Sequence, residues 1–358
     1  MLSGRPLGRV LLAGLAAAVF VAACGDSGAA NSAVGSGSLT GAGATFPGLF
    51  YSKAFFSYSQ LYPQVKVNYQ SVGSGAGIQQ FIKGTVDFGA SDVPMGSADI
   101  TSAGGADAVT QIPATLGVIS IAYNLTGVAK LQLDGPTVAS IYLGTVKKWN
   151  DPAITALNEG VTLPSSDIEV VHRSDSSGTS YHFTDYLAKV SDAWKTKVGV
   201  GKAVSWPAGI GGNGNQGVAQ AVQSTAGAIG YVELAYVLSA NMTQAHLKNK
   251  NGKFLQASVA GATAAAAQNT SVSPTNFSIT DEPGDDTYPI AGFSWIILHT
   301  SYSDANKGKA IAYLFKWLVT DGQGLGTSLQ YAPLPTPVQT LAETNLKLIK
   351  AGGQVVLS

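Results

Sequence analysis

Residues 173–180 bring together one cation, several hydroxyl side chains and a glycine, in the order Arg-Ser-Asp-Ser-Ser-Gly-Thr-Ser. Apolar residues then recur at helical spacing: Phe183, Tyr186, Leu187, Val190 and Trp194. This pattern predicts that a helix begins here, with Ser177 or a neighbour as its N-cap. The free N–H groups of a helix start carry the positive end of the helix dipole, and Gly178 would let a ligand approach them. The segment therefore predicts either an anion site or an ordinary helix cap.

Arg173 adds a permanent charge whose forked geometry suits an oxyanion. Asp175 lies two residues further on and could pair with the guanidinium, which would fix its orientation instead of touching the ligand. The two residues together predict a cation that is held in one position.

Two earlier segments repeat the order of a small-residue loop followed by a helix pattern. Residues 39–47 contain Thr45 and lead into the helical stripe Tyr51, Phe55, Tyr58 and Tyr62, while the strand Val65–Tyr69 leads through the Gly/Ser turn 71–77 into a second helix. Residues 85–92 indicate a short buried strand that ends at Asp92. Three helix starts directed at one point would bind an oxyanion without excess positive charge.

Six motifs in this order carry a resemblance to a known family: TGAGATFP, the turn before GIQQFI, TVDFGASD, YLGTVKKWND, RSDSSGTS and GAIGYVE. The chain resembles the phosphate-binding lipoproteins of phosphate ABC importers over about residues 39 to 358. Each motif is short, but six in the right order are specific. The resemblance implies a binding protein and not an enzyme, without cofactor or metal, whose partners are inorganic phosphate and the transmembrane permease subunits of the importer.

The resemblance also assigns contacts to phosphate. It implies Thr45, Phe46, Ser74 and Asp92 on one side of the ligand and Arg173, Ser177, Gly178 and Thr179 on the other. Asp175 matches the acidic residue that orients the arginine. The protein is expected to act as a monomer.

Asp92 decides which anion such a site would accept. A buried carboxylate repels a dianion unless the ligand brings a proton for it to accept, and phosphate carries that proton at neutral pH whereas sulfate does not. A site that leaves a buried polar group unpaired with the wrong ligand can discriminate by about 10⁴ to 10⁵. The sequence therefore predicts that Asp92 excludes sulfate. The alternative is that Asp92 only ends a strand or pairs with a surface cation.

Residues 1–23 have the pattern of a lipoprotein signal peptide. Arg5 and Arg9 precede the apolar run Val10–Ala23, which is too short to span a bilayer comfortably. Cys24, the single cysteine of the chain, follows the small residues of a lipobox and would be lipidated. Residues 24–38 would then form a flexible tether that holds the protein, through its lipid, at the extracytoplasmic face of the bacterial cell membrane.

The alternation of strand and helix patterns predicts an α/β protein, and the length after the tether exceeds one compact core. Apolar runs at Leu116–Tyr123 and Phe293–His299 each follow a proline and would cross between two lobes. Residues 39–114 and 290–358 would form a discontinuous lobe I and residues 115–289 lobe II. The ligand would lie in the cleft between them, as in the type II periplasmic-binding-protein fold that the resemblance implies.

The charge balance excludes a broad field for nucleic acid. Removal of the signal peptide would leave 19 of the 21 basic residues against 21 acidic ones. The G-x-G-x-x-G at residues 212–217 does not follow a buried strand pattern, so it is a poor dinucleotide fingerprint and is expected to be a loop of lobe II near the cleft. The 4 histidines show no metal-ligand spacing.

Two other functions stay open at this point. In an enzyme, Ser176 or Ser177 would attack a phosphate ester or acyl group with His172 or His182 as base, although no nucleophile elbow surrounds these serines. A phosphate sensor or surface adhesin would keep the same fold.

Overall fold

The structure is a computed structural model that describes residues 33–358. The predicted signal peptide, Cys24 and the first part of the predicted tether lie outside the described residues. The strands β1 to β15 are, in chain order, Gly37–Gly43, Val65–Ser71, Phe88–Ser91, Val109–Tyr123, Gln132–Leu133, Glu169–Arg173, Ile210–Gly212, Ala228–Glu233, Thr243–Gln244, His246–Lys248, Phe254–Leu255, Ala291–His299, Ser301–Tyr302, Lys350–Ala351 and Gln354–Val355. The helices α1 to α13 are Gly48–Leu61, Ser74–Ile82, Ser97–Ser102, Gly135–Tyr142, Pro152–Thr155, Gly178–Val190, Asp192–Lys197, Gly214–Ser224, Leu234–Ser239, Val259–Ala266, Ala305–Val319, Gly324–Thr327 and Thr336–Leu346.

A nine-stranded sheet is the frame of the described chain. Its order is β2-β1-β3-β12-β4-β8-β6-β7, with β9 paired to β4 beside this path. We call β1, β2, β3 and β12 the first half of the sheet and β6, β7, β8 and β9 the second half. Strand β4 joins the two halves, because Val109–Val118 pair with β12 and Ile119–Tyr123 pair with β8.

Strand β4 is longer than the sequence predicts. It begins at Val109 instead of Leu116, and all its residues are buried. Pro113 lies inside the strand, where it faces Trp295, and the pairing with β12 shifts register between Ser294 and Trp295. Because proline has no N–H to donate, it is tolerated inside a sheet at such an irregularity.

The first strand also begins earlier than expected. Gly37 and Ser38, predicted as the end of a flexible tether, belong to β1 because they pair with Val65 and Lys66 of β2. Val34 is already buried against the core. The part of the tether that the structure describes is therefore largely ordered.

Helices cover the sheet with apolar side chains. In α1 the predicted stripe Tyr51, Phe55 and Tyr58 is buried, and the Phe55 ring packs edge-on to Phe88 of β3 and Phe315 of α11. These contacts hold α1 against the first half of the sheet. Of the helices between residues 33 and 358, none has the length and apolar character that a membrane span requires.

Candidate functional site

Four helix starts from the two halves of the sheet come into contact with one another. Thr45 and Phe46 precede α1, and Ser74 is the first residue of α2, both beside the first half. Gly178 begins α6, and Asn215 lies in the first turn of α8, both beside the second half. The sequence predicted the first three of these starts, and α8 was not among them.

Asp92 lies directly after β3, at the centre of this group. Its carboxylate is buried, and its Oδ1 accepts a hydrogen bond of 2.7 Å from the Ser294 hydroxyl of β12. The Ser74 hydroxyl lies 3.5 Å from Oδ2 and accepts the Asp92 backbone N–H at 3.2 Å. Burial raises the pKa of Asp92 to about 7, although the Ser294 hydrogen bond and the positive charge of Arg173 oppose that rise.

Arg173, at the end of β6, is the cation of the site. Only 2% of it is exposed, and its Nε and Nη2 donate to the two carboxylate oxygens of Asp175 at 2.7 and 2.5 Å. Its Nη1 donates to the Thr179 hydroxyl at 3.2 Å. Asp175 also accepts the Gly214 N–H at 3.1 Å. Burial raises the pKa of Asp175, but the bonds and charge of Arg173 outweigh it and hold that pKa below its ordinary value.

Ser177 caps α6, as the helical spacing predicted. Its hydroxyl oxygen accepts the Ser180 N–H at 3.1 Å, and its own N–H donates to the Lys202 carbonyl at 2.8 Å. Capping uses only a lone pair of the Ser177 oxygen, so the hydroxyl hydrogen stays available as a donor.

Direct hydrogen bonds connect the two sides. The Gly178 N–H donates to the Ser74 hydroxyl at 3.1 Å, and the Gly75 N–H donates to the Ser176 carbonyl at 2.9 Å. Gly178 lies so close to Asp92 that a Cβ at this position would overlap the carboxylate. This close approach requires glycine at the start of α6.

Two site residues were missed in the sequence. Ser294 lies at the register shift of β12, and Asn215 donates through Nδ2 to the hydroxyls of Thr45 and Thr179 at 3.0 and 3.1 Å. A hydroxyl inside the apolar strand β12 was a usable signal for Ser294. Asn215 lies within the G-x-G-x-x-G segment, which the sequence favours as a loop near the cleft without indicating which of its side chains enters the site.

Phe46 contributes differently from the other predicted residues. Its ring is fully buried beside His182, and its carbonyl accepts the Tyr331 hydroxyl at 2.7 Å. The same Tyr331 oxygen lies 3.0 Å from the buried carboxylate of Glu233. These contacts fix the turn that carries Thr45.

Comparison with known proteins agrees with this arrangement. The model of the PBP superfamily domain matches residues 28–321. The phosphate-binding protein PstS of Xylella fastidiosa is 43% identical over 302 residues, covering 83% of this chain and 81% of that protein. PstS of Pasteurella multocida is 44% identical over 304 residues, covering 84% and 87%. The chain therefore belongs to the PstS family of the PBP superfamily.

Solved structures share the fold of this PstS family member. A high affinity periplasmic phosphate-binding protein bound with phosphate superimposes with a TM-score of 0.66 at 21% identity, covering 87% of this chain and 99% of that one. A human phosphate binding apolipoprotein gives a TM-score of 0.70 at 19% identity, with coverage of 88% and 98%. The predicted α/β periplasmic-binding-protein fold is confirmed.

Membership of the PstS family also confirms the prediction of a binding protein in place of an enzyme, because these relatives are named for binding. His172 Nδ1 lies 3.0 Å from the Arg173 carbonyl, and His182 Nε2 lies 3.0 Å from the Asp92 carbonyl. Among the described residues, neither ring contacts the hydroxyl of Ser176 or Ser177, so no base is placed beside the proposed nucleophiles. Residues 33–358 also hold no cluster of three or more His, Cys, Asp or Glu side chains that could bind a metal.

Proposed function

We propose that this chain captures inorganic phosphate outside the cytoplasm and delivers it to the membrane permease of a phosphate ABC importer. Asp92 is the observation that carries the proposal. It is a fully buried carboxylate that lies against the start of α6, among backbone N–H and hydroxyl donors. A fully deprotonated oxyanion would be repelled there, whereas monohydrogen phosphate can donate its proton to the carboxylate.

The proposed ligand contacts come from both halves of the sheet. On one side they are Thr45, Phe46, Ser74 and Asp92, and on the other Arg173, Ser177, Gly178 and Thr179. Asp175 would orient Arg173 and offset its charge, so the site would attract the anion mainly through hydroxyls, N–H groups and helix dipoles. This use of dipoles fits a chain whose acidic and basic residues are balanced.

The two lobes that we propose are residues 39–114 together with 290–358, and residues 115–289. One boundary falls within β4, the strand that joins the halves of the sheet, and the other falls directly before β12, which pairs with β4. Bound phosphate would contact both lobes, so it would favour the closed arrangement over an open one. Hydrogen bonds such as those from Gly178 to Ser74 and from Gly75 to Ser176 support this closure.

Delivery requires that the protein stay near its permease. We propose that residues 1–23 are removed as a signal peptide and that a lipid on Cys24 anchors a monomer to the outer face of the cell membrane, with the residues between Cys24 and the buried Val34 as the tether. The Arg5, Arg9 and Cys24 pattern supports this part of the proposal.

Calorimetric titration of the purified protein, freed of bound anions, tests the proposal. Orthophosphate should bind saturably with one site per chain, and sulfate should give no heat of binding under the same conditions. No heat of binding with phosphate, or equal binding of both anions, would contradict the proposed function. Turnover of a chromogenic phosphate ester should not exceed the background rate, and metal-independent hydrolysis would instead support the enzyme.

A further inference from the structure

Asn215 makes four hydrogen bonds inside the site, although the sequence predicts no role for it. It is fully buried in the first turn of α8. Its Oδ1 accepts the Glu233 N–H at 3.0 Å, which settles the orientation of the amide because an N–H needs an acceptor. The amide nitrogen therefore points toward the two threonines, where one hydrogen reaches Thr45 and the other Thr179.

Each of these threonine hydroxyls receives two hydrogen bonds. The Thr45 oxygen accepts from Asn215 Nδ2 at 3.0 Å and from the Asn215 backbone N–H at 3.2 Å. The Thr179 oxygen accepts from Asn215 Nδ2 at 3.1 Å and from Arg173 Nη1 at 3.2 Å. A hydroxyl has two acceptor lone pairs and one hydrogen, so both oxygens are saturated as acceptors.

The remaining function of each hydroxyl is to donate. No acceptor for either hydroxyl hydrogen is found among residues 33–358, so both hydrogens are left for a ligand. We propose that Asn215 is a positioning residue that makes Thr45 and Thr179 obligatory donors toward the bound anion. This inference rests on the proposed binding of phosphate, and it assigns the specificity for acceptor oxygens to a residue that does not itself need to touch the ligand.

The hydrogen bonds of Asn215 also connect the two sides of the site. Thr45 precedes α1 beside the first half of the sheet, whereas Asn215 and Thr179 lie beside the second half. The two bonds to Thr45 form only when the sides are close, so the Thr45 hydroxyl becomes a fixed donor at closure. In an open arrangement the same hydroxyl could accept as well as donate, and its preference for an anion would be weaker.

Substitution of Asn215 by Asp tests the proposal with little change of shape. The carboxylate keeps an acceptor for the Glu233 N–H but offers no donors to the threonines, so both hydroxyl hydrogens would turn toward it and away from phosphate. We expect the Kd for phosphate to rise by about 100-fold or more, the loss of two directed hydrogen bonds together with added repulsion. Asn213→Asp is the matched control, since it adds the same charge at the exposed N-cap of the same helix. It should change the Kd less than about threefold.

A double-mutant cycle separates positioning from a merely structural role. Thr45→Val removes the hydroxyl, and its cost in phosphate affinity should be several-fold smaller when Asn215 is already replaced by Ala. Equal costs in the two backgrounds would overturn the proposal. The cycle also decides the question if Asn215→Asp does not fold, which thermal unfolding of each variant would reveal.

The outcomes distinguish this inference from the function on which it rests. Tight phosphate binding by the wild-type protein and by Asn215→Asp alike would overturn the role of Asn215 and leave the proposed function intact. Absence of phosphate binding by the wild-type protein would overturn both. Loss of binding in Asn215→Asp but not in Asn213→Asp, with a coupled cycle, supports the proposal.

Discussion

Replacing Asp92 by Asn should open the site to sulfate. The Asp92 carboxylate can only accept hydrogen bonds when ionised, and one of its oxygens is already engaged by Ser294 at 2.7 Å. The other oxygen accepts only a long hydrogen bond of 3.5 Å from the Ser74 hydroxyl, so it keeps a lone pair for the proton of the ligand. An amide has nearly the same shape, carries no charge and adds donors, so a ligand without a proton would no longer be repelled.

The size of the effect follows from the burial of Asp92, which is 1% exposed. A ligand that leaves a buried polar group of the site unpaired can be disfavoured by about 10⁴- to 10⁵-fold relative to one that pairs with it. We expect the ratio of sulfate to phosphate Kd to fall from that range to about 100 or less in Asp92→Asn, because sulfate gains affinity and phosphate loses it. Phosphate should lose about 10- to 100-fold, since its O–H loses its acceptor.

Calorimetric titration at about pH 8, above the Asp92 pKa of about 7, keeps the wild-type carboxyl mostly ionised. Asp107→Asn is the matched control, because it removes one exposed carboxylate beside β4 without touching the site. If Asp92→Asn bound phosphate normally and still refused sulfate, Asp92 would not be the residue that selects between the anions.

Three further outcomes are expected. Arg173→Lys cannot keep both bonds to Asp175, so the phosphate Kd should rise about 10- to 100-fold in the same titration; an unchanged Kd would contradict this. Gly178→Ala would force the Asp92 carboxylate away and weaken phosphate by a similar factor, whereas Gly96→Ala, with open space around its Cβ position, should not change affinity. Because the native pKa of Asp92 lies above its ordinary 3.8, the native state holds that proton more tightly, and its contribution to the free energy of unfolding should fall as pH rises from about 4 to about 7. Denaturant unfolding of the ligand-free protein should show this slope, and a parallel curve for Asp92→Asn would contradict it.

The local elements of the site could be predicted because each is encoded by adjacent residues. The cap at Ser177, the strand β2 from Val65 and the short buried strand before Asp92 all follow from side-chain spacing, and the structure confirms them. A helix start needs only its own N-cap and the apolar stripe that follows, so one window of sequence contains the information.

The contacts between distant segments could not be predicted in this way. Ser294 is 202 positions from Asp92, and Asn215 is 170 positions from Thr45, so nothing in either local window indicates the partner. Their positions depend on the register of β12 against β4 and on the approach of α8 to α1. A register is fixed by the whole sheet, which explains why the length of β4 was also underestimated.

The hydroxyl of Ser74 is made a donor in the same way as those of Thr45 and Thr179, because N–H groups occupy the acceptor positions of its oxygen. The Ser74 oxygen accepts the N–H groups of Asp92 and Gly178, as the oxygens of Thr45 and Thr179 each accept two N–H bonds. All three hydroxyl oxygens are saturated as acceptors, and Asp92, whose Oδ2 receives the long 3.5 Å bond from the Ser74 hydroxyl, is the prominent acceptor among them. An anion with several bare oxygens and one proton satisfies this set fully, whereas one without a proton leaves the carboxylate unpaired. Selectivity can therefore arise from the count of donors and acceptors, with little help from net charge.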